Sequence, residues 1–387
     1  MNRLQALGRQ GQSVWLDYIR RQIIENGELR RMVDEDGVAG VTSNPAIFEK
    51  AIVGSTDYAD ALARHVAAGV AGPKALYEAL AIADIQDAAD ILRPVYTRTN
   101  GRDGFVSLEV SPNLAHDTQA TLDEARRLWK AVGRDNLMVK VPATPEGIPA
   151  IRQLISDGIN INVTLLFAVE MYEKVAEAYI AGLDARAAAG GDVSRVASVA
   201  SFFVSRIDSV IDAKLAEKAA ASTSADQQGR LTALAGKAAI ASARLAYHRY
   251  LRAFRTPHWQ ALAGRGARTQ RLLWASTSTK NPAYRDVIYV EELIGADTVN
   301  TIPPATLDAF RDHGEIRASL EESPEDAAAA LRGIEAAGIS IRDVTAHLLA
   351  DGVKQFDVAF SRLLDAVAAK STVVGSAEVV GAAAEQG

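Results

Sequence analysis

Eight short apolar runs, each followed by a stretch with helical periodicity, constrain the fold of this chain more than any other feature. The runs lie at residues 13–17, 37–42, 104–110, 137–142, 158–164, 194–201, 270–275 and 297–301. Each is four to eight residues long and bounded by turn residues, as expected of strands buried on both faces. Helical spacing fills the intervals: a segment with Ile19, Ile23 and Ile24, then residues 46–93, 118–132, 150–155, 168–183 and the stretch up to about Phe254. A Ser/Thr/Asp/Gln-rich patch at 221–229 breaks the last of these. Alternating strand and helix predicts parallel strands with helical crossovers, and eight such units fit a closed (β/α)8 barrel, the TIM-barrel class of α/β fold. A doubly wound open sheet is the alternative, but no Gly-x-Gly-x-x-Gly follows any strand to mark a dinucleotide site.

The barrel with its extra helices is expected to occupy residues 1–370 as one domain. Two alanine-rich helices, at 324–337 and from 341 to about 369, close it. An Ala/Gly/Val-rich segment at 371–387 reads as a frayed tail.

Composition narrows the function. There are 42 basic and 48 acidic residues, for a net charge of −6. No basic tail or patch points to nucleic acid, and no cationic amphipathic face points to a membrane surface. Without cysteine, thiolate catalysis, disulfides and Cys-ligated metals are all ruled out. The six histidines are scattered without ligand spacing, so no metal site is expected. The start, Met1-Asn2-Arg3-Leu4-Gln5, lacks the apolar core of a signal peptide, and no run approaches about 18 apolar residues, which points to a cytoplasmic protein.

Within the fourth run, Leu137-Met138-Val139-Lys140-Val141-Pro142-Ala143-Thr144, a lysine interrupts a buried strand. An ammonium is costly to desolvate, so such a lysine either leaves the core or serves chemistry. Desolvation favours the neutral amine, which can attack a ketone to form a Schiff base. In a barrel, polar residues at the C-terminal ends of strands face the active site. Asp17, Asn44, Glu109, Lys140, Asn162, Thr164, Ser201 and Ser276 all fall at or near such ends. A Schiff base also needs an acid to expel water and a base for the departing hydroxyl proton. Two carboxylates from different strands can divide those roles. The plainer readings are strand-end salt bridges for Asp17 and Glu109, turn capping for Asn44 and Asn162, a helix-surface cation for Arg206 and a surface residue for Lys280.

The motifs Gly40-Val41-Thr42-Ser43-Asn44-Pro45, Val106-Ser107-Leu108-Glu109-Val110, Met138 to Thr144, Ile161-Asn162-Val163-Thr164-Leu165 and Ser201-Phe202-Phe203-Val204-Ser205-Arg206-Ile207-Asp208 occur in this order. Together they closely resemble the transaldolase family, in particular its longer bacterial subgroup within the class I aldolases. That resemblance implies transfer of a dihydroxyacetone unit from sedoheptulose 7-phosphate to glyceraldehyde 3-phosphate, giving erythrose 4-phosphate and fructose 6-phosphate, without cofactor or metal. It assigns Lys140 as the Schiff-base lysine, Glu109 as the acid acting through water, Asp17 as the acid exchanging a proton with the sugar hydroxyl, and Thr164 as a hydroxyl holding that water. It further assigns Asn44, Asn162, Ser201 and Phe203 to the sugar and Arg206 to the phosphate. Phosphorylated sugars are thus the expected partners, and the chain itself is expected as a monomer or homodimer.

One departure stands out. Where the shorter transaldolases carry a second phosphate arginine, this chain reads Ser276-Thr277-Ser278-Thr279-Lys280-Asn281-Pro282. Ser278 takes the arginine's place, so Ser276 is expected on the phosphate and Lys280 as the source of the missing charge. A lyase that releases dihydroxyacetone, as fructose 6-phosphate aldolases do, and a non-catalytic sugar-phosphate binding barrel are the competing functions.

Overall fold

The computed structural model describes residues 2–384, with the side chains of 374–384 outside the description. Eight parallel strands close into a barrel in chain order: β1 (Gln12–Leu16), β2 (Gly40–Val41), β3 (Phe105–Glu109), β4 (Leu137–Pro142), β5 (Ile161–Leu166), β6 (Ser198–Phe203), β7 (Arg271–Ala275) and β8 (Thr298–Ile302). β8 returns to pair with β1 along its whole length, from Gln12 against Thr298 to Leu16 against Ile302. Among the described residues no helix is long and apolar enough to cross a membrane.

The expected barrel is therefore present, with local differences. The second strand shrinks to two residues. Its flanks pair singly instead, through Ala39 N to Val14 O and Thr42 N to Leu16 O. The sixth strand begins at Ser198, four residues later than expected. Asp192 accepts from both the backbone and the hydroxyl of Ser194, which holds the preceding residues in a turn. The helical stretch at 46–93 is three helices, Pro45–Val53, Ala59–Ala67 and Pro73–Arg98, separated at Gly54 and at Gly69 to Gly72. The polar patch at 221–229 is mostly helix, because Ser224 caps Ala225–Thr232 by accepting from Gln227 N. The last helix spans Ile341–Ala384, past the expected end near Ala369. The expected tail at 371–387 falls partly outside the described residues, which end at 384.

Side chains alternate inward and outward along each strand, so the register fixes which residues share the barrel interior. Near the floor, Trp15 lies fully buried with its ring 6.2 Å from that of Phe105. Below it Asp103 accepts from Trp15 Nε1 (3.1 Å), from the Ser13 hydroxyl (2.7 Å) and from Arg271 Nη2 (2.9 Å). These bonds tie β1 and β7 to the turn before β3. Opposite Trp15, β2 carries Gly40, where a Cβ would sit 2.4 Å from indole Cδ2.

The helix Ile341–Ala384 packs along Pro45–Val53 and Pro73–Arg98 and reaches the barrel rim at β5. Phe48, Tyr77 and Phe360 form an edge-to-face series, with centroids 5.7 and 5.6 Å apart, that joins the three helices. Further on, Lys370 Nζ donates to the carbonyls of Ile52 (2.6 Å) and Ser55 (3.0 Å) at the end of the first of them. At Gly352 this helix presses so closely that a Cβ would lie 2.9 Å from Leu165 Cδ2.

A methyl group at residue 40 has no room beside a side chain as rigid as Trp15. Gly40→Ala is expected to destabilise the fold by about 1–3 kcal/mol, read as a lower urea midpoint at unchanged slope.

Candidate active site

The register places the site. Glu109 at the end of β3 pairs with Lys140 of β4, and Lys140 pairs with Asn162 of β5, so three functional side chains stand at one level of the barrel. Thr164 stands one inward step higher, opposite Pro142. Asp17 directly follows β1 and is anchored by its backbone N–H to Ile302 O at 2.9 Å.

Lys140 is 5% exposed. Its Nζ donates to the carbonyl of Ser43 at 2.8 Å and lies 3.2 Å from Glu109 Oε2. The aligned hydrogen bond goes to Ser43, so the approach to Glu109 is a contact of charge. Burial pushes the Glu109 carboxyl above the ordinary range, opposed by the Lys140 ammonium and reinforced by the nearby charge of Asp17. Asp17 keeps some exposed surface, yet desolvation raises its pKa as well. The hydrogen bond from the Thr42 hydroxyl (2.7 Å) works against that shift, as do the charges of Lys140, Lys280 and Arg206. Two carboxylates thus flank one lysine, each favouring its protonated form more than a solvated acid would.

Beyond Lys140 runs a chain of neutral hydrogen bonds. Ser201 donates to Asn162 Oδ1 (2.7 Å), and Asn162 Nδ2 donates to the Ser107 hydroxyl (3.0 Å). This fixes the Asn162 amide and lines one wall of the mouth. Thr164 Oγ1 is buried and has no partner among the described residues. Asn44 caps the helix Pro45–Val53 by accepting from Ile47 N at 3.0 Å, as turn capping would have it, which leaves its Nδ2 as the group available to the mouth.

The other rim is cationic. β6 runs into the helix Ser205–Ala221, which carries Arg206 on its first turn. The guanidinium sits 5.3 Å over the ring of Phe203, itself packed on Phe167 at 5.2 Å. Nη1 of Arg206 is buried without a partner among the described residues. Desolvation lowers its pKa, opposed by Asp351 and Asp17. Ser276, at φ +56, takes a left-handed turn after β7 that brings its hydroxyl within 2.9 Å of Ser205 Oγ. Lys280 lies on an exposed stem, its Nζ donating to Ser278 Oγ at 2.7 Å. Desolvation, then the charges of Arg206 and Lys50, lowers its pKa, and Asp17 opposes them. The lysine therefore points back to the position of Ser278 and shares its surroundings with Arg206.

The structure brings Asp17, Glu109, Lys140, Asn162, Thr164 and Ser201 together around one mouth, with Arg206, Ser276 and Lys280 on its cationic side. Sequence reasoning overlooked the backbone carbonyl of Ser43, since any residue there offers one. It passed over Thr42 and Ser107 although both stood inside the quoted motifs. Lys50 and Asp351 gave no signal, because each lies on a helix surface remote in sequence from the strands it faces. Among the described residues no group of His, Asp and Glu has the arrangement to hold a metal ion.

Comparison with known proteins agrees with this geometry. The family described as Transaldolase/Fructose-6-phosphate aldolase matches residues 14–367. The chain is 48% identical over 374 residues to a transaldolase of Trichodesmium erythraeum, covering 95% of this chain and 97% of that one. It is 50% identical over 364 residues to a transaldolase of Thiobacillus denitrificans, covering 94% and 99%. With a transaldolase of Neisseria gonorrhoeae it shares 48% identity over 354 residues, covering 92% and 96%. A barrel with a buried lysine between two carboxylates and likeness along nearly its whole length lead to one conclusion: the chain belongs to the transaldolase/fructose-6-phosphate aldolase family.

Proposed function

We propose that the chain's transaldolase activity, a transferase reaction of the pentose phosphate pathway, runs through a Schiff base on Lys140. The observation that carries this reading is the buried Nζ, 3.2 Å from a carboxylate whose pKa is raised. Passing one proton from Lys140 to Glu109 leaves a neutral amine beside a protonated acid, the two states the first step requires. The amine attacks the ketone carbon of sedoheptulose 7-phosphate. Glu109, through a water held by the Thr164 hydroxyl, protonates the carbinolamine oxygen so that it leaves as water, and the Schiff base forms.

The iminium then draws in the electrons of the adjacent carbon–carbon bond. Asp17 takes the proton from the β-hydroxyl, the bond breaks, and erythrose 4-phosphate departs. The three-carbon enamine stays on Lys140. Its carbon attacks the aldehyde of glyceraldehyde 3-phosphate, and Asp17 returns the proton to the new hydroxyl. Hydrolysis releases fructose 6-phosphate and restores the lysine. Asn162, Ser201 and Asn44 Nδ2 hold sugar hydroxyls, and Phe203 supports Arg206. Arg206, Lys280 and Ser276 bind the phosphate by charge-assisted bonds. The enzyme works in the cytoplasm as a monomer or homodimer, with phosphorylated sugars as its partners.

Incubation with fructose 6-phosphate followed by borohydride should leave a reduced three-carbon adduct on Lys140, mapped by mass spectrometry. Erythrose 4-phosphate added before the reductant should discharge it, whereas a lyase would lose the adduct to water without acceptor. Lys140→Ala should abolish both adduct and turnover; an active Lys140→Ala enzyme would remove the mechanism.

A carboxyl with a raised pKa keeps its proton to higher pH, and the acid-assisted step slows as pH rises through that value. Glu109→Gln should therefore lower kcat by about 10²–10⁴-fold and flatten that limb of the kcat–pH profile. A profile that keeps its shape would assign the limb to another group. Lys280→Ala should raise KM for phosphorylated donors roughly tenfold, the scale of one charge-assisted hydrogen bond, with a smaller change in kcat. An unchanged KM would return Lys280 to the surface.

A further inference from the structure

A second set of contacts surrounds the segment that carries Lys280, away from the reacting atoms. Between Ser276 and Val287 the chain leaves β7 and crosses the helix Ser205–Ala221 before reaching the short helix Ile288–Glu291. It is braced internally: the Thr279 hydroxyl donates to Asp286 O (3.0 Å), Asn281 Oδ1 accepts from Ala283 N (2.9 Å), and Tyr284 N donates to Asn281 O (3.1 Å). Those bonds shape the segment without fixing where it sits.

Ser276 meets Ser205 at its start, and Arg285 and Asp286 meet His313 near its end; between them Tyr284 ties it to the helix that carries Arg206. The phenol donates to Asp212 Oδ2 at 2.7 Å, while Asp212 Oδ1 accepts from Gly236 N at 2.9 Å. Gly236 has φ +72, and a Cβ there would stand 2.9 Å from Tyr284 Cζ. The hydroxyl end of the tyrosine ring thus lies against bare backbone, fastened to a carboxylate on the same helix as Arg206. One turn earlier on that helix, Asp208 accepts from Tyr289 (2.8 Å) and from Ala239 N (2.8 Å), which ties down the far end of the segment. A cleft of about 370 Å³ lies between the helix and the segment, with Lys280, Tyr284 and Asp212 on its walls.

We infer that Tyr284, latched to Asp212 and seated on Gly236, is a positioning residue that sets Lys280 opposite Arg206 and so tunes affinity for the phosphate of the sugar. The inference rests on the reading of Lys280 as a phosphate ligand. Arg206 and the latch belong to one helix, so the two cations keep a fixed separation only while the segment is fastened. A lysine stem is flexible, and its bond to Ser278 orients the ammonium within the segment without anchoring the segment to the helix. Burial and the Asp212 carboxylate push the Tyr284 pKa up, so the phenol stays a donor.

The test is a cycle of Tyr284→Phe, Lys280→Ala and the double variant, with KM and kcat measured for fructose 6-phosphate and for unphosphorylated fructose as donors at one saturating concentration of the acceptor erythrose 4-phosphate. Phenylalanine keeps the ring on Gly236 and removes only the latch bond. Tyr284→Phe is expected to raise KM for fructose 6-phosphate about threefold to tenfold, with kcat and the constants for fructose nearly unchanged. In the Lys280→Ala background it should add nothing, since there is no ammonium left to place. If Lys280→Ala alone leaves KM unchanged, the phosphate reading itself fails and the inference falls with it. If Lys280→Ala raises KM but Tyr284→Phe does not, the latch inference alone is overturned. An equal rise from Tyr284→Phe in both backgrounds would also overturn it, because the tyrosine would then act on the whole mouth. Should Tyr284→Phe fail to fold, Asp212→Ala, which removes the acceptor of the latch, gives the same readout.

Discussion

The site depends on an ion pair that would be unfavourable almost anywhere else in a protein. Lys140 and Glu109 lie 3.2 Å apart with almost no solvent contact. Removing two charges from water costs several kcal/mol per ion, and mutual attraction repays it only where the remaining donors and acceptors also find partners. The barrel supplies that setting by geometry. Adjacent parallel strands put the two side chains at one level, and the carbonyl of Ser43 takes the lysine's aligned hydrogen bond. Ser43 can do so because its own hydroxyl is bound to Ser107 O at 2.7 Å, which pins the end of a strand only two residues long. Glu109 Oε2 is left without an aligned donor.

Polar groups are buried at both ends of the barrel. At the floor, Asp103, Arg271, Ser13 and Trp15 satisfy one another, a closed knot that holds strands β1 and β7 to the turn before β3. At the mouth, Thr164 Oγ1 and Arg206 Nη1 are buried without hydrogen-bond partners among the described residues, and Glu109 Oε2 has only its charge contact with Lys140. Native interiors leave few polar groups unpaired, and those that remain call for an explanation. Buried atoms without hydrogen-bond partners also lie at the floor, at Gln12 Oε1, Asn136 Oδ1 and Gln270 Oε1, so what distinguishes the mouth is its buried lysine–carboxylate pair.

Much of this was legible in the sequence because strands announce themselves by short apolar runs and their ends by polar residues. Lys140, Glu109 and Asn162 could be placed on neighbouring strands from spacing alone, and the alternation predicted the barrel. Family resemblance then gave the residues their expected roles. What stayed hidden was set by tertiary packing. The late start of β6 follows from the Asp192–Ser194 turn, which periodicity does not encode, and the pairing of β2 is cut to two residues. The fastening of Tyr284 to Asp212 joins residues 72 positions apart on elements whose apolar patterns say nothing of each other. Asn44 shows the middle ground, since the turn-capping reading holds for its Oδ1 while its Nδ2 stays available to the mouth.

The terminal helix has a bearing on the order in which the molecule is completed. All eight strands lie before residue 303, so the barrel has its full complement of strands while Ile341 and everything after it is still to be synthesised. Until that helix docks, nothing presses on Leu165 at Gly352, Asp351 does not offset the charge of Arg206, and Phe360 does not cover Tyr77. The charge balance and packing at the mouth are thus set in part by an element that contributes no strand to the barrel.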